Sequence, residues 1–224
     1  MTGSTEGPGS GAVRLSPERV VDVALAIVAA DGIDALSMRR LGKQLGVDPM
    51  AIYHHLPNKQ AVISGMVQRV FGEIHASLEL SPDAPWRQQV REWALNYRQI
   101  AGRHQQLVIH LINNADAAGR EVMYVNETLY RALALAGMAP RDIIRSADLI
   151  VDFIHGVVLS ERTSGAETSD WRSAFADQTE QIGRDRLPSI ATVLDSLDTG
   201  ELDVDVEFGL EVIIAGLAQV TQRT

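Results

Sequence analysis

The spacing of the apolar residues is the feature that most restricts the fold of this chain. From Ser16 onward they recur every three or four positions, as on one face of a helix, and Val20, Ala24, Leu25 and Val28 show the pattern first. No stretch alternates between apolar and polar residues as a half-buried strand does. The sequence therefore predicts an all-α fold.

Capping residues and glycines mark where the first two helices begin and end. Ser16, followed by Pro17, is a suitable N-terminal cap for a first helix, which ends at Gly32. Ser37 begins a second, short helix that stops at Gly46. The pattern thus predicts a long helix followed closely by a short one.

Two more caps predict the next helices. Asp48 with Pro49 begins a third helix that runs to about Leu56, and Asn58 caps a longer fourth helix that runs to about Ile74. Prolines and glycines divide the remainder into seven helices, predicted near residues 84–102, 105–115, 118–136, 140–163, 168–183, 188–197 and 203–221. Residues 1–14 are rich in glycine, serine and proline, which predicts a flexible arm.

The charge of the chain is unevenly distributed. A net charge of −9 does not favour nucleic-acid binding by the chain as a whole. Residues 1–72, however, hold 7 Lys and Arg against 6 Asp and Glu, whereas residues 73–224 hold 13 against 23. Within the first part, residues 39–62 bring arginine, lysine, tyrosine and histidine together. This local cluster indicates a DNA-binding surface on an acidic protein.

Several classes of protein are excluded or disfavoured by the sequence. The chain has no cysteine, which excludes disulfides, thiolate zinc sites and a cysteine nucleophile. No apolar run approaches the roughly 18 residues that a membrane span needs, and the N-terminus lacks the features of a signal peptide. We therefore expect a cytoplasmic protein without membrane contact. No cofactor and no metal site is assigned to it.

Two short helices joined by a tight turn at Gly46 are typical of a helix-turn-helix unit, in which the second helix enters the major groove of DNA. Ser37 and Asn58-Lys59 stand at helix starts, where backbone N–H groups favour phosphate. Tyr53 offers a phenol long enough to reach a phosphate. Taken alone, Tyr53 is also consistent with a core aromatic and Lys59 with an ordinary surface lysine.

The segment SMRRLGKQLGVDPMAIYHHLPNKQAVISGMV, preceded by GIDALS, resembles the DNA-binding domain of the TetR (tetracycline-repressor) family of bacterial transcriptional regulators, over residues 15–72 without a gap. The resemblance implies a homodimer that binds a palindromic double-stranded DNA operator and releases it when a small-molecule effector enters the C-terminal domain. By position, Arg39 resembles the family's base-reading arginine. Tyr53, His55 and Lys59 resemble its phosphate contacts.

The start of the recognition helix, Asp-Pro-Met-Ala at residues 48–51, departs from the family, which often places Ser, Thr or Gln there. Proline, methionine and alanine side chains cannot hydrogen-bond base edges, although they can touch thymine methyl groups. We interpret Asp48 as a helix cap rather than an acceptor for cytosine. Direct base readout then depends on Arg39, with Arg40 and His54 as further candidates, and the rest of the specificity comes from DNA shape. The candidate DNA-binding residues are Ser37, Arg39, Arg40, Asp48, Pro49, Met50, Ala51, Tyr53, His54, His55 and Lys59.

Residues 75–163 more loosely resemble the C-terminal domain of the tetracycline repressors, through W-x-x-x-V-R-x-W-A-x-x-Y at 86–97, L-A-L-A-G-M-A-P-R-D at 133–142 and D-F-I-H-G-V-V-L-S-E at 152–161. In those repressors a pocket between helices binds a drug chelated to magnesium. Trp93 stands at the position of the asparagine that anchors the drug, so we expect a flat or apolar ligand instead. The candidate ligand-binding residues are His75, Trp93, Tyr97, His110, Met123, Tyr124, Asn126 and Phe153. Each of these aromatic and histidine residues is also consistent with an ordinary core position.

The predicted helices at 140–163 and 203–221 are apolar on two sides, which indicates burial on both. One interpretation is that each helix lies at the centre of its own domain. The other is that the two helices pack against the same two helices of a second subunit and form a four-helix bundle. The predicted organisation is an arm at residues 1–14, a three-helix helix-turn-helix DNA-binding domain at 15–60, and a larger helical ligand-binding and dimerisation domain at 61–224.

Two other classes of protein remain as alternatives. An enzyme is disfavoured because no H-E-x-x-H, Walker or G-x-S-x-G pattern occurs, although an all-α hydrolase that uses His110 and a carboxylate stays possible. An all-α interaction or effector-binding protein without sequence-specific DNA binding would fit the acidic balance. The cluster at residues 39–62 argues against it.

Overall fold

A computed structural model describes residues 14–78, 81, 83–113, 119–164, 171–196 and 206–221. Within these ranges the chain forms eleven α-helices and one short 3-10 helix, and no strand. The prediction of an all-α fold is therefore confirmed. Residues 1–13 of the predicted arm lie outside the described residues.

The helices follow the order that the capping signals predict. They are α1 (Pro17–Asp31), α2 (Met38–Leu45), α3 (Pro49–Tyr53), α4 (Lys59–Ser77), α5 (Trp86–Arg103), α6 (Gln105–Asn113), α7 (Arg120–Leu135), α8 (Pro140–Ser164), α9 (Trp171–Ile182), α10 (Pro188–Ser196) and α11 (Val206–Val220). The 3-10 helix, Ile33–Ala35, lies between α1 and α2 and is not among the predicted elements. Predicted helical residues at 114–115, 118, 168–170, 197 and 203–205 lie outside the described residues.

Side-chain caps begin each of the first four helices as predicted, and the cap of α3 is Asp48, which accepts from the Met50 amide. The Ser16 hydroxyl accepts a hydrogen bond from the Arg19 amide at 3.3 Å, and the Ser37 hydroxyl accepts one from the Arg40 amide at 3.2 Å. The Asn58 side-chain oxygen accepts from the Ala61 amide at 2.8 Å. Each cap satisfies an amide that has no partner within its own helix, which is why these residues set the helix starts.

Two helix ends differ from the prediction. α3 stops at Tyr53 rather than near Leu56, because the amides of His55 and Leu56 both bond the Ile52 carbonyl, at 2.9 Å each, and close a turn. α4 continues to Ser77, beyond the predicted end near Ile74. Ile74 is itself buried, so the apolar face holds the last turn of α4 in place.

The described residues divide into two compact units. The first lies within Met1–Ala76 and Gln106–Tyr124, and the second within Ser77–Gln105 and Val125–Thr224. The core of the first unit includes the fully buried side chains of Leu36, Leu41, Ile52, Met66, Ile74 and Leu107. In the second unit α5 packs against α8, and α11 contacts both; its core includes Trp93, Ile100, Leu129, Leu133, Ile150 and Ile154.

The predicted limit between residues 60 and 61 falls in the first turn of α4, whereas the compact units divide after residues 76, 105 and 124. The difference arises because α4 is one continuous helix whose buried residues extend from Val62 to Ile74. The assignment of separate functions to residues 15–60 and 61–224 remains a prediction.

Two glycines in the first unit allow a matched test of packing. A Cβ atom on Gly42, in α2, would lie 2.9 Å from the Val47 carbonyl oxygen, whereas a Cβ on Gly72, in α4, would meet no atom within 4 Å. We expect Gly42→Ala to lower the free energy of unfolding by about 1–3 kcal/mol through overpacking. Gly72→Ala should raise it by about 0.5–1 kcal/mol, because alanine is the better helix former.

Urea unfolding followed by far-ultraviolet circular dichroism measures both changes. Equal effects of the two substitutions would show that α2 and α3 do not approach as closely as described.

Candidate nucleic-acid interface and ligand-binding residues

The α2–α3 unit is held together by a close contact at its turn. Gly46 ends α2 in the left-handed conformation, with φ of 69°, which a side chain would disfavour. The Val47 amide then bonds the Gly42 carbonyl at 2.9 Å. Ile52 is the buried residue of α3 and packs inward. This arrangement leaves the opposite side of α3 in solvent.

The outward side of α3 carries an unusual set of side chains for a recognition helix. Met50 is 63% exposed and Tyr53 is 41% exposed, while Pro49 and Ala51 are half-buried. Asp48 accepts a hydrogen bond from the Met50 amide at 2.8 Å and caps the helix, which confirms the interpretation of this residue as a cap. One of its carboxylate oxygens is therefore engaged by the helix itself.

The two adjacent arginines of α2 have different surroundings. Arg40 forms an ion pair with Asp31 at the end of α1, so its guanidinium is held on the protein. Arg39 is exposed, and its side chain makes no ion pair with any residue that the structure describes. Of the two, Arg39 is the one that remains available to a partner.

The segment that carries α3 is rich in cations. Residues 37–59 contain four Lys and Arg and one Asp, a balance of +3 in a chain of net charge −9. Lys43 and Lys59 are exposed, and the Lys59 ammonium lies 3.4 Å from the Ile33 carbonyl oxygen. His54 and His55 are exposed at the end of α3. The eleven candidate DNA-binding residues thus occupy α2, α3, their caps and the start of α4 in one compact unit.

The candidate ligand-binding residues are divided between the two units. In the first, the His75 and Tyr124 rings stack with centroids 5.3 Å apart. His75, Met123 and Tyr124 are exposed, and His110 is half-buried. These side chains give the first unit an aromatic and polar surface on the last turns of α4 and the first turns of α7.

In the second unit, the candidate aromatic residues belong to the core. Trp93 is fully buried, donates its indole N–H to the Val125 carbonyl at 3.0 Å, and stacks on Tyr97 with ring centroids 5.0 Å apart. The half-buried Phe153 ring lies against Gly209 of α11, where a Cβ atom would overlap it. Asn126 is half-buried. A role of these residues toward a ligand remains a prediction.

His155 is a potential functional residue that the sequence analysis did not single out. Its Nε2 atom shares a 2.8 Å hydrogen bond with the Tyr97 hydroxyl, whose donor depends on the imidazole tautomer. Burial lowers the pKa of His155, with a smaller opposing effect from Asp152, and burial raises the pKa of Tyr97. Both groups are therefore neutral near pH 7. A histidine between the apolar residues Ile154 and Val157 of α8 was the available signal.

α8 and α11 each bury one apolar face and expose another. Ile150, Ile154 and Val158 of α8 are buried, and so are Leu210, Ile214 and Leu217 of α11. Ile144 and Leu149 of α8 remain about half exposed, and Phe208 and Val212 of α11 are more exposed still. The apolar faces that the sequence predicts on both sides of these helices are thus buried on one side within this chain.

The described part of the chain contains neither a candidate metal centre nor a membrane-spanning helix. No group of three or more histidine and acidic side chains there could hold a metal ion. Among the same residues, no helix combines the length and hydropathy that crossing a membrane requires.

Comparison with known proteins identifies both parts of the chain. Residues 20–66 match the family model for bacterial regulatory proteins of the tetR family, and residues 80–221 match the model for the tetracyclin repressor-like C-terminal domain. The tetracycline repressor protein class A from transposon 1721 of Escherichia coli is 27% identical over 206 residues, which cover 92% of each chain. The HTH-type transcriptional repressor DrrR1 of Streptomyces coeruleorubidus is 26% identical, over 93% of this chain and 80% of that protein.

Solved structures agree with these matches. Apo ActR from Streptomyces coelicolor superposes with a TM-score of 0.78 at 25% identity, covering 93% of this chain and 97% of ActR. ActR in complex with actinorhodin superposes with a TM-score of 0.76 at 26% identity, covering 93% and 99%. Since the C-terminal family match alone spans more than half of the sequence, the protein belongs to the TetR family of bacterial transcriptional regulators.

Proposed function

We propose that this TetR-family protein is a homodimeric repressor that binds a palindromic operator and releases it when a small molecule binds. The observation that carries the proposal is the exposed surface of the α2–α3 unit, where Arg39, Met50 and Tyr53 lie among cations in an otherwise acidic chain. Relatives named as repressors, DrrR1 among them, support the sign of regulation.

In the proposed complex, α3 enters the major groove and α2 crosses the phosphate backbone. Arg39 contacts a guanine edge, for which arginine has the matching pair of donors. Lys59 and the hydroxyl groups of Ser37 and Tyr53 contact phosphates, which position the protein without reading sequence. Arg40 stays bound to Asp31 and keeps α2 in place against α1.

The proposed dimer covers the exposed apolar side of α11. Four exposed residues share this side of the helix because they are spaced three or four positions apart: Phe208, Val212, Ala215 and Gly216. A two-fold axis would pair this stripe with its own copy, so that α8 and α11 of both subunits form a four-helix bundle. The two copies of α3 would then meet successive major grooves, about 34–36 Å apart or somewhat wider.

The proposed effector is a flat, largely apolar small molecule. The stacked Trp93 and Tyr97 rings make the interior of the second unit aromatic, and the Tyr97–His155 pair adds a polar group to it. The similarity to ActR, which has been solved with actinorhodin, supports an aromatic ligand. An effector releases DNA if it binds the DNA-free conformation more tightly; a hundredfold preference corresponds to about 2.7 kcal/mol.

The proposal is tested by selecting binding sites from a random DNA pool with the full-length protein, at a fixed salt concentration near 100 mM. We expect a palindrome with two equivalent half-sites. Recovery of no motif, with only weak and salt-sensitive binding, would contradict a sequence-specific regulator and favour an effector-binding protein without operator recognition.

Arg39→Ala and Lys59→Ala should affect DNA binding differently. Loss of Arg39 removes a base contact and should reduce the binding free energy for the selected operator, relative to random DNA, by about 1–3 kcal/mol. Loss of Lys59 removes a phosphate contact, so it should weaken binding to all sequences alike and reduce the salt dependence. Fluorescence-anisotropy titrations on both DNAs at several salt concentrations measure these changes.

The two variants serve as controls for one another, since both side chains are exposed and cationic. If Arg39→Ala weakened binding to operator and to random DNA by the same factor, its base-reading role would be wrong.

Val212→Asp tests the proposed dimer. An aspartate facing its own copy across an apolar interface should raise the dimer dissociation constant at least about tenfold, because a charge would be buried without a partner. The matched control is Val193→Asp on α10, since Val212 is 57% exposed and Val193 is 54% exposed. Analytical ultracentrifugation over a dilution series distinguishes the two; an unchanged dissociation constant for Val212→Asp would place the dimer interface elsewhere.

Tyr97→Phe tests the effector site. Actinorhodin and tetracycline are titrated against the protein bound to labelled operator, and we expect actinorhodin to release it at the lower concentration. Loss of the hydroxyl that bonds His155 should raise the concentration for half-release at least about fivefold, the effect of one buried hydrogen bond.

The control is Tyr130→Phe, because Tyr130 is half-buried on α7 and its hydroxyl makes no hydrogen bond with any described residue. Identical release curves for Tyr97→Phe and the unmodified protein would show that the Tyr97–His155 hydrogen bond plays no part in effector binding.

A further inference from the structure

The start of α3 offers base edges an apolar contact rather than a hydrogen bond. Met50 is its most exposed side chain, at 63%, and the neighbouring Pro49 and Ala51 have no polar side-chain atoms. Asp48 uses a carboxylate oxygen to cap the helix, and Arg40 is bound to Asp31. Base recognition at the centre of α3 therefore depends on what a methionine side chain can contact.

The charge around Met50 indicates DNA as the occupant of this surface. Arg39, Lys43 and Lys59 are exposed in the same unit, and residues 37–59 carry a balance of +3. Exposed cations attract the phosphate groups of DNA, whereas an apolar patch that binds another protein does not require them. Met50 then faces base edges inside the major groove when the cations contact the backbone.

The major groove contains one prominent apolar group, the C5 methyl of thymine. A methionine side chain is unbranched and polarizable, so it can adapt to a methyl group at several angles. Because it has no strong donor or acceptor, it discriminates through burial of that methyl group rather than through base-edge hydrogen bonds.

We propose that Met50 is a specificity-determining residue that reads the C5 methyl group of a thymine in each operator half-site. This inference rests on the proposed operator binding and adds the chemical feature that α3 recognises. The same methyl group occurs in 5-methylcytosine, so the two sources have to be distinguished by experiment.

Deoxyuridine substitution removes only the methyl group of thymine. Each thymine of the selected operator is replaced in turn, at the same position in both half-sites, and affinity is measured at fixed salt. At the position contacted by Met50 we expect affinity to fall about fourfold for each methyl group removed, and about sixteenfold when both half-sites are substituted. Replacing that thymine by cytosine should weaken binding, and methylating the cytosine at C5 should recover about fourfold per half-site.

Three variants assign the effect to Met50. Met50→Ala should bind the thymine and deoxyuridine operators equally, whereas Met50→Leu should keep most of the difference. Leu135→Ala is the matched control, because Leu135 is 59% exposed at the end of α7 and its change also removes an exposed apolar side chain. The Leu135→Ala variant should retain the full preference for thymine over deoxyuridine. Thermal unfolding of each variant verifies that the fold is unchanged.

The possible outcomes separate the inference from the proposed function. Sequence-specific binding that no deoxyuridine substitution weakens would refute methyl recognition and leave the regulator intact. A thymine preference that persists in Met50→Ala would assign the methyl contact to another residue. Absence of any selected operator would overturn the proposed function itself, and the inference with it.

Discussion

The close approach of α2 to α3 at Gly42 is the constraint on which the proposed DNA-facing surface depends. Without a side chain at Gly42, the Val47 carbonyl and the start of α3 can pack directly on α2. Ile52 is then held inward, and Met50 and Tyr53, three positions apart on the same side of the helix, are directed to solvent. A larger residue at position 42 would shift α3 and change which side chains it presents.

Only one of the two neighbouring arginines of α2 is held in an ion pair. Asp31 engages Arg40, which joins the end of α1 to α2, and leaves Arg39 exposed. Arg39 therefore remains available to a partner, while Arg40 stabilises the α2–α3 unit that carries both. In a chain of net charge −9, the exposed cations Arg39, Lys43 and Lys59 support the proposed binding to a polyanion.

The second unit shows what sequence spacing could not predict. The W-x-x-x-V-R-x-W-A-x-x-Y run directed attention to Trp93 and Tyr97, and both are close together in the core. Their polar partners, the Val125 carbonyl and His155, come from other helices. His155 lies 58 residues from Tyr97 along the chain, so no local pattern links the two. The packing of α5 against α8 selects this pair.

The sequence by itself determined the helical class, most helix starts and the position of the helix-turn-helix unit. These features depend on periodicity and on caps such as Ser37 and Asn58, whose partners lie within three residues. Tertiary structure alone decided that Arg40 is engaged while Arg39 is exposed, that Trp93 is a core residue, and that Tyr97 bonds His155. Those outcomes depend on contacts between helices distant in sequence, and such contacts follow from packing rather than from local pattern.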